Sequence, residues 1–129
     1  MVADRIQANY LASEGIEVMK NLMDANVIQK RPWNQSFTED RCYEIDYRTT
    51  GLDSNSSVDC SGQGAQPILF DPATGIYGYE GGGPSKFSRV VHVIPISSNE
   101  VKINSSVKWE SRGAASEIKL EDYFFNWRP

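Results

Sequence analysis

Ala8, Leu11, Gly15, Val18, Leu22 and Ala25 recur at alternating spacings of three and four. That period is the period of an α-helix, and it places these six residues on one continuous stripe. Ala12 and Met19 widen the stripe, while Asp4, Gln7, Glu14, Glu17, Lys20, Asn21 and Asp24 lie mostly off it. A helix over residues 5–28 is expected, with Leu11, Gly15, Val18 and Leu22 as its packing residues. Gly15 inside a helix costs about 1 kcal/mol relative to alanine. The usual compensation is close approach of another backbone. Ile16 and Met23 are seven residues apart and project from a different side, as a second and thinner apolar line. Pro32 pushes Arg31 out of helical geometry and closes the helix before it.

Downstream the period shortens to two. In "CYEIDYR", Tyr43, Ile45 and Tyr47 fall on one face, with Glu44, Asp46 and Arg48 on the other. "ILFDPATGIYGYE" reads as a hairpin turning from Asp71 through Pro72 to Gly75, and Gly81 to Pro84 as a flexible loop. From Lys86 onward three strands follow. Phe87, Arg89, Val91 and Val93 alternate with Ser88, Val90, His92 and Ile94. Val101, Ile103, Val107 and Trp109 alternate with Lys102, Asn104, Ser106 and Lys108. Ile118, Leu120, Asp122 and Phe124 alternate with Glu117, Lys119, Glu121 and Tyr123. "SSNE" and "SRGA" are the turns between them. This is an antiparallel meander with one face wet. Its dry face needs a cover, and the N-terminal helix is the only sizeable amphipathic element available. The chain is therefore expected to be one α+β domain. Its parts are a helix over 1–30, a loop-rich region over 31–86 and the meander over 87–127.

Composition narrows the function classes. At 129 residues with 40% hydrophobic content, the chain suits one packed core. A net charge of −4 speaks against a partner tracked through phosphates, so no nucleic acid is expected. No apolar run reaches the roughly 18 residues of a membrane span. Cys42 and Cys60 are the only two cysteines. They form a disulfide or remain two free thiols; the even count in a stretch rich in Ser, Asn, Asp and Gly favours the bond and an oxidising compartment.

Groups that carry chemistry are scarce. His92 is the only histidine and lies mid-strand, with no cysteine, serine or carboxylate motif beside it in the sequence. Asp46, Asp53, Asp59 and Asp71 match no calcium-loop pattern and read as solvated loop acids. No glycine loop has the strand-before, helix-after context that phosphate binding needs, so neither a catalytic site nor a cofactor is expected. Asn34, Asn55 and Asn104 each begin an N-x-S triplet. Asn55, with Asp53 two positions before it, resembles the extended acceptor site of bacterial N-glycosylation.

The segment "ADRIQANYLASEGIEVMKNLMDAN" followed by "RPWN" resembles the type IV pilin-like proteins, the family with a prepilin-type cleavage and methylation segment. "CYEIDY", the "PILF…GIYGY" hairpin, "FSRVVHV", "VKINSSVKW" and the closing "LEDYFFNW" are similar to one bacterial subgroup in order and spacing. The "YLASEGIE" run and the closing "V-x-W…L-x-x-Y-x-x-NW" arrangement are the most specific parts. The resemblance spans nearly the whole chain.

It implies a structural subunit of a pilus-like filament: a pilin, a minor pilin or a type II secretion pseudopilin. Its partners would be other subunits, and the inner membrane before assembly. In that family the apolar first half of a long helix anchors the subunit and later forms the filament core, while the second half packs on a sheet. This chain matches the second half only. About 25 mostly apolar residues are expected upstream of Ala3 in the native gene, since a helix needs roughly 20 residues to span a bilayer. Ile16 and Met23, expected to be exposed, would contact neighbouring subunits. The implied location is an extracellular filament or the cell surface. One departure is that the cysteines lie early, whereas many pilins carry theirs near the C-terminus. A secreted ligand-binding module using the Tyr-rich hairpin and the Gly81 to Gly83 loop is the alternative from a different class.

Overall fold

The computed structural model describes residues 2–52, 57–63 and 65–126. One helix, α1 (Val2–Ile28), lies on one face of a seven-stranded antiparallel sheet, so the chain is an α+β protein. The strands are β1 (Arg41–Tyr43), β2 (Ser57–Val58), β3 (Pro67–Asp71), β4 (Ile76–Gly78), β5 (Gly83–Ser97), β6 (Glu100–Ser111) and β7 (Ala114–Phe125).

The three long strands form the expected meander. Between β6 and β7, Arg112 and Gly113 both take positive φ, 54° and 80°. That pair is the two-residue turn whose twist matches the strands it joins. The far edge of β5 is shared. Its first half pairs with β3, through Leu69↔Pro84 and Phe70↔Gly83. Its second half pairs with β1, through Tyr43↔Val91, Cys42↔His92 and Arg41↔Val93. Gly83 and Pro84 thus belong to a ladder and not to a flexible loop. Gly82 before them has φ 79°, and a Cβ there would collide with the Phe70 carbonyl.

The strand expected through "CYEIDYR" ends at Tyr43. Asp46 closes the chain on itself instead. Its backbone N–H donates to Thr49 Oγ1 at 3.0 Å, and its carboxylate accepts from the Arg48 N–H at 2.8 Å. Side-chain bonds of this kind offer the backbone an alternative to a ladder.

The core beneath α1 is in two parts. Ala8, Leu11 and Ala12 pack on Ile68, Phe87, Val107 and Trp109. Val18, Met19, Leu22 and Met23 pack on Phe37, Tyr43, Ile45, Val91, Val93, Val101 and Ile103. Alternation along β5 and β6 explains both parts, because Phe87, Arg89, Val91 and Val93 all face the helix. Among the described residues, no helix is long and apolar enough to cross a membrane.

Candidate functional site

Between the two halves of the core, α1 touches the sheet at Gly15. A Cβ at that position would lie 2.5 Å from Ser105 Oγ, 3.1 Å from Val91 Cγ2 and 3.2 Å from Arg89 Cδ. The expected close approach is therefore made by β5 and β6. Arg89 is only 1% exposed and works as a clamp. It donates to the Leu11 carbonyl at 2.7 Å, to Glu14 Oε1 at 2.9 Å and to the Ile45 carbonyl at 2.5 Å. One guanidinium thus ties the helix, β5 and the segment after β1 together. A buried cation needs such partners, because desolvation without them is prohibitive.

Three further polar groups, Asp46, Tyr79 and Glu44, interact near the clamp, with Tyr79 feeling the Arg89 charge. Asp46 is buried, against the expectation of a solvated loop acid, and its Oδ2 accepts from the Tyr79 N–H at 2.9 Å. Burial pushes the Tyr79 phenol far above its ordinary 10.0; Arg89 opposes this, and Glu44, Asp46 and Glu14 add to it. Glu44 is raised above 4.5 by burial, an effect partly offset by the Gln66 N–H bonded to it. Asp59 and Asp71 hold their own turns, accepting from the N–H groups of Ser61 and Ala73. Asp46, Asp59 and Asp71 do not gather around a cation position; Asp53 lies outside the described residues.

The helix surface divides differently from the sequence pattern. Leu11 is fully buried, Val18 and Leu22 nearly so, and Gly15 is buried at the contact. Met23, expected to be exposed, is buried as deeply as Leu22. Ile16 is half-buried against the same cluster. The reason lies beyond the helix. Trp33 and Phe124 reach the flank that carries Met23, so the sheet and the loop after α1 cover a wider arc than one stripe. The helix is also less amphipathic than expected, since its buried side carries Gly15 and Asn26 and its outward side carries other apolar residues. Ile6 is 65% exposed and Tyr10 57%. Four residues apart, they share one outward line.

Asn26 fastens the end of the helix. Its side chain donates to the carbonyls of Trp33 and Gln35, and Lys30 turns the chain with a φ of 60°. Trp33 Nε1 donates to the Ser98 carbonyl at 3.1 Å, which fixes the loop against the β5–β6 turn.

Cys42 and Cys60 form a disulfide. It lies on the outer face of the sheet, away from α1. His92 stands opposite Cys42 in the ladder, and its Nε2 is 2.5 Å from Asp40 Oδ1. No local sequence motif surrounds His92, because this corner is assembled from three separate segments. Arg89 was more legible, as a charge in the apolar phase of an alternating strand. The pattern pointed to Ile16 and Met23 as the outward line and missed Ile6 and Tyr10, whose i, i+4 spacing is the signal that marks them. Asn34 and Asn104 are half-buried, while Asn55 lies outside the described residues.

No protein-family model, curated protein or solved structure matches the chain.

Proposed function

We propose that this domain is the head of a type IV pilin-like filament subunit, a class that includes pilins, minor pilins and type II secretion pseudopilins. The observation that carries the reading is a 27-residue helix clamped lengthwise on an antiparallel sheet, with Ile6 and Tyr10 left uncovered. A monomer gains nothing by exposing them. Full burial of a side chain such as isoleucine contributes about 1.5–3 kcal/mol, which neighbouring subunits would supply. Contacts between subunits then run through Ile6 and Tyr10, with half-buried Ile16 at their margin, and not through Met23. The other partner, before assembly, is the inner membrane, reached through the apolar half of the family's helix.

Immunogold electron microscopy of the source cells tests this reading, with antibodies raised against the domain. Labelled filaments are expected, and Ile6→Glu with Tyr10→Glu in the full-length protein should reduce their number while the head stays folded. Label found only on soluble secreted protein would reject the filament. Normal filaments from the double variant would reject the contact line.

That first negative result would favour a secreted ligand-binding module. A trough of about 680 Å³ supports it, lined by Lys86, Ser88, Lys108, Trp109 and Glu117 among others. Trp109 Nε1 is buried with no acceptor among the described residues. The Tyr-rich hairpin serves this alternative poorly, because Tyr77 and Tyr79 pack against the core.

A further inference from the structure

Cys42 and His92 are direct partners across the β1–β5 ladder. Their neighbours Tyr43, Val91 and Val93 face the core, so alternation turns Cys42 and His92 together to the outer face. The pairing of Cys42 with Val58 brings the following segment alongside, and Cys60 with it. One sulfur from each cysteine and one ring nitrogen of His92 lie within 4.8 Å of one another. Asp40 holds Nε2, which leaves Nδ1 as the other ring nitrogen. Cys42 is buried, Cys60 is exposed, and the His92 side chain is 30% exposed. Solvent therefore reaches the corner from the side of Cys60.

We propose that reduction of the Cys42–Cys60 bond converts this corner into a zinc site, with both thiolates and His92 as ligands and Asp40 orienting the imidazole. A dithiol reductant drives the first step. Its two S–H bonds are exchanged for an S–S bond as the Cys42–Cys60 bond breaks, and each cysteine sulfur takes up a proton. Zinc then displaces those two protons to solvent and forms two Zn–S bonds and one Zn–N bond. In a tetrahedral site the sulfurs stand about 3.8 Å apart, given Zn–S distances of about 2.3 Å. With Cα atoms 5.2 Å apart, side-chain rotation suffices to separate them. Two soft thiolates and an imidazole select zinc over calcium or magnesium. Three protein ligands leave the fourth position to water on the exposed side. A carboxylate on the second nitrogen of a ligating histidine fixes the ring and raises its basicity. The disulfide and the zinc site use the same sulfur atoms and exclude each other, so the corner holds metal only in the reduced chain. This inference does not depend on the filament reading.

The test uses the intact protein reduced with a water-soluble phosphine, which becomes the phosphine oxide as water supplies the oxygen and both protons. Cobalt(II) serves as the spectroscopic probe and zinc as its competitor. The reduced chain should bind one cobalt with thiolate-to-metal charge-transfer absorption, and zinc should bleach it; the oxidised chain should show neither. His92→Ala should weaken zinc binding by roughly 100-fold, and Asp40→Asn by about 10-fold or more, with circular dichroism unchanged. A variant carrying both Cys42→Ser and Cys60→Ser reports whether the fold survives without the bond. Absence of the charge-transfer band, equal affinity in His92→Ala, or loss of the sheet on reduction would each overturn the proposal.

Discussion

At Gly15 two local rules oppose each other. In an isolated helix, alanine there would gain about 1 kcal/mol over glycine. In the folded chain the added methyl would lie 2.5 Å from Ser105 Oγ, with Val91 and Arg89 close behind. Overpacking of this kind costs about 1–3 kcal/mol. Gly15→Ala is therefore expected to destabilise the domain in urea denaturation despite its better helix propensity. The penalty should shrink in a Ser105→Ala background, where the nearest atom is gone, because contacting residues couple in a double-mutant cycle. A Gly15→Ala variant more stable than the parent would show that helix and sheet can separate here at no cost. Arg89 illustrates the limits of pattern at this scale. Its place in the alternation points it at the helix, but its acceptors come from residues 11, 14 and 45, which no local window contains.

For the helix as an element, the question is which residues are covered and by what. Met23 is 5% exposed and Leu22 8%, whereas Ile6 is 65% exposed. Met23→Ala should lower stability by about 2–5 kcal/mol, as expected for a buried side chain that leaves a cavity. Ile6→Ala should stay within about 0.5 kcal/mol, because it touches no such feature. Denaturation midpoints of the two variants decide the matter. Equal midpoints would mean that the Trp33 and Phe124 flank does not cover Met23 in solution. This contrast also separates folding from association, since a change at Ile6 that spares the domain and weakens a filament acts on the interface alone.

Stability of the whole molecule carries a pH dependence set by Tyr79. Its folded-state ionisation lies well above 10.0 because burial disfavours the phenolate. With the folded value raised, its contribution is fully present below pH 10.0 and is lost as pH rises above it, when only the unfolded chain ionises. The loss from this one group is about 1.4 kcal/mol per pH unit. Tyr43 and Tyr77 are raised in the same direction by burial, so the parent should lose stability steeply in alkali. Tyr79→Phe should remove one proton's share of that slope. At neutral pH it should cost little, because the hydroxyl has no hydrogen-bond partner among the described residues. Stability measured across alkaline pH checks both statements, and an unchanged slope would mean that the phenol is solvated.

The helix, the three long strands and their turns were legible in the sequence because each depends on neighbours a few residues away. Period 3.6 and period 2 follow from backbone geometry alone. So does the choice of Arg89, Val91 and Val93 as one face, or of Arg112 and Gly113 as a turn. The tertiary structure decided everything that depends on which segments meet. It buried Met23 by bringing Trp33 and Phe124 to its flank, and it drew Gly83 and Pro84 into a ladder with β3. It buried Asp46 against the Tyr79 N–H, and it set His92 beside two cysteines and Asp40 from distant segments. Burial and proximity of this kind are properties of paired surfaces. A single segment carries one side of each pair, and only the folded chain supplies the other.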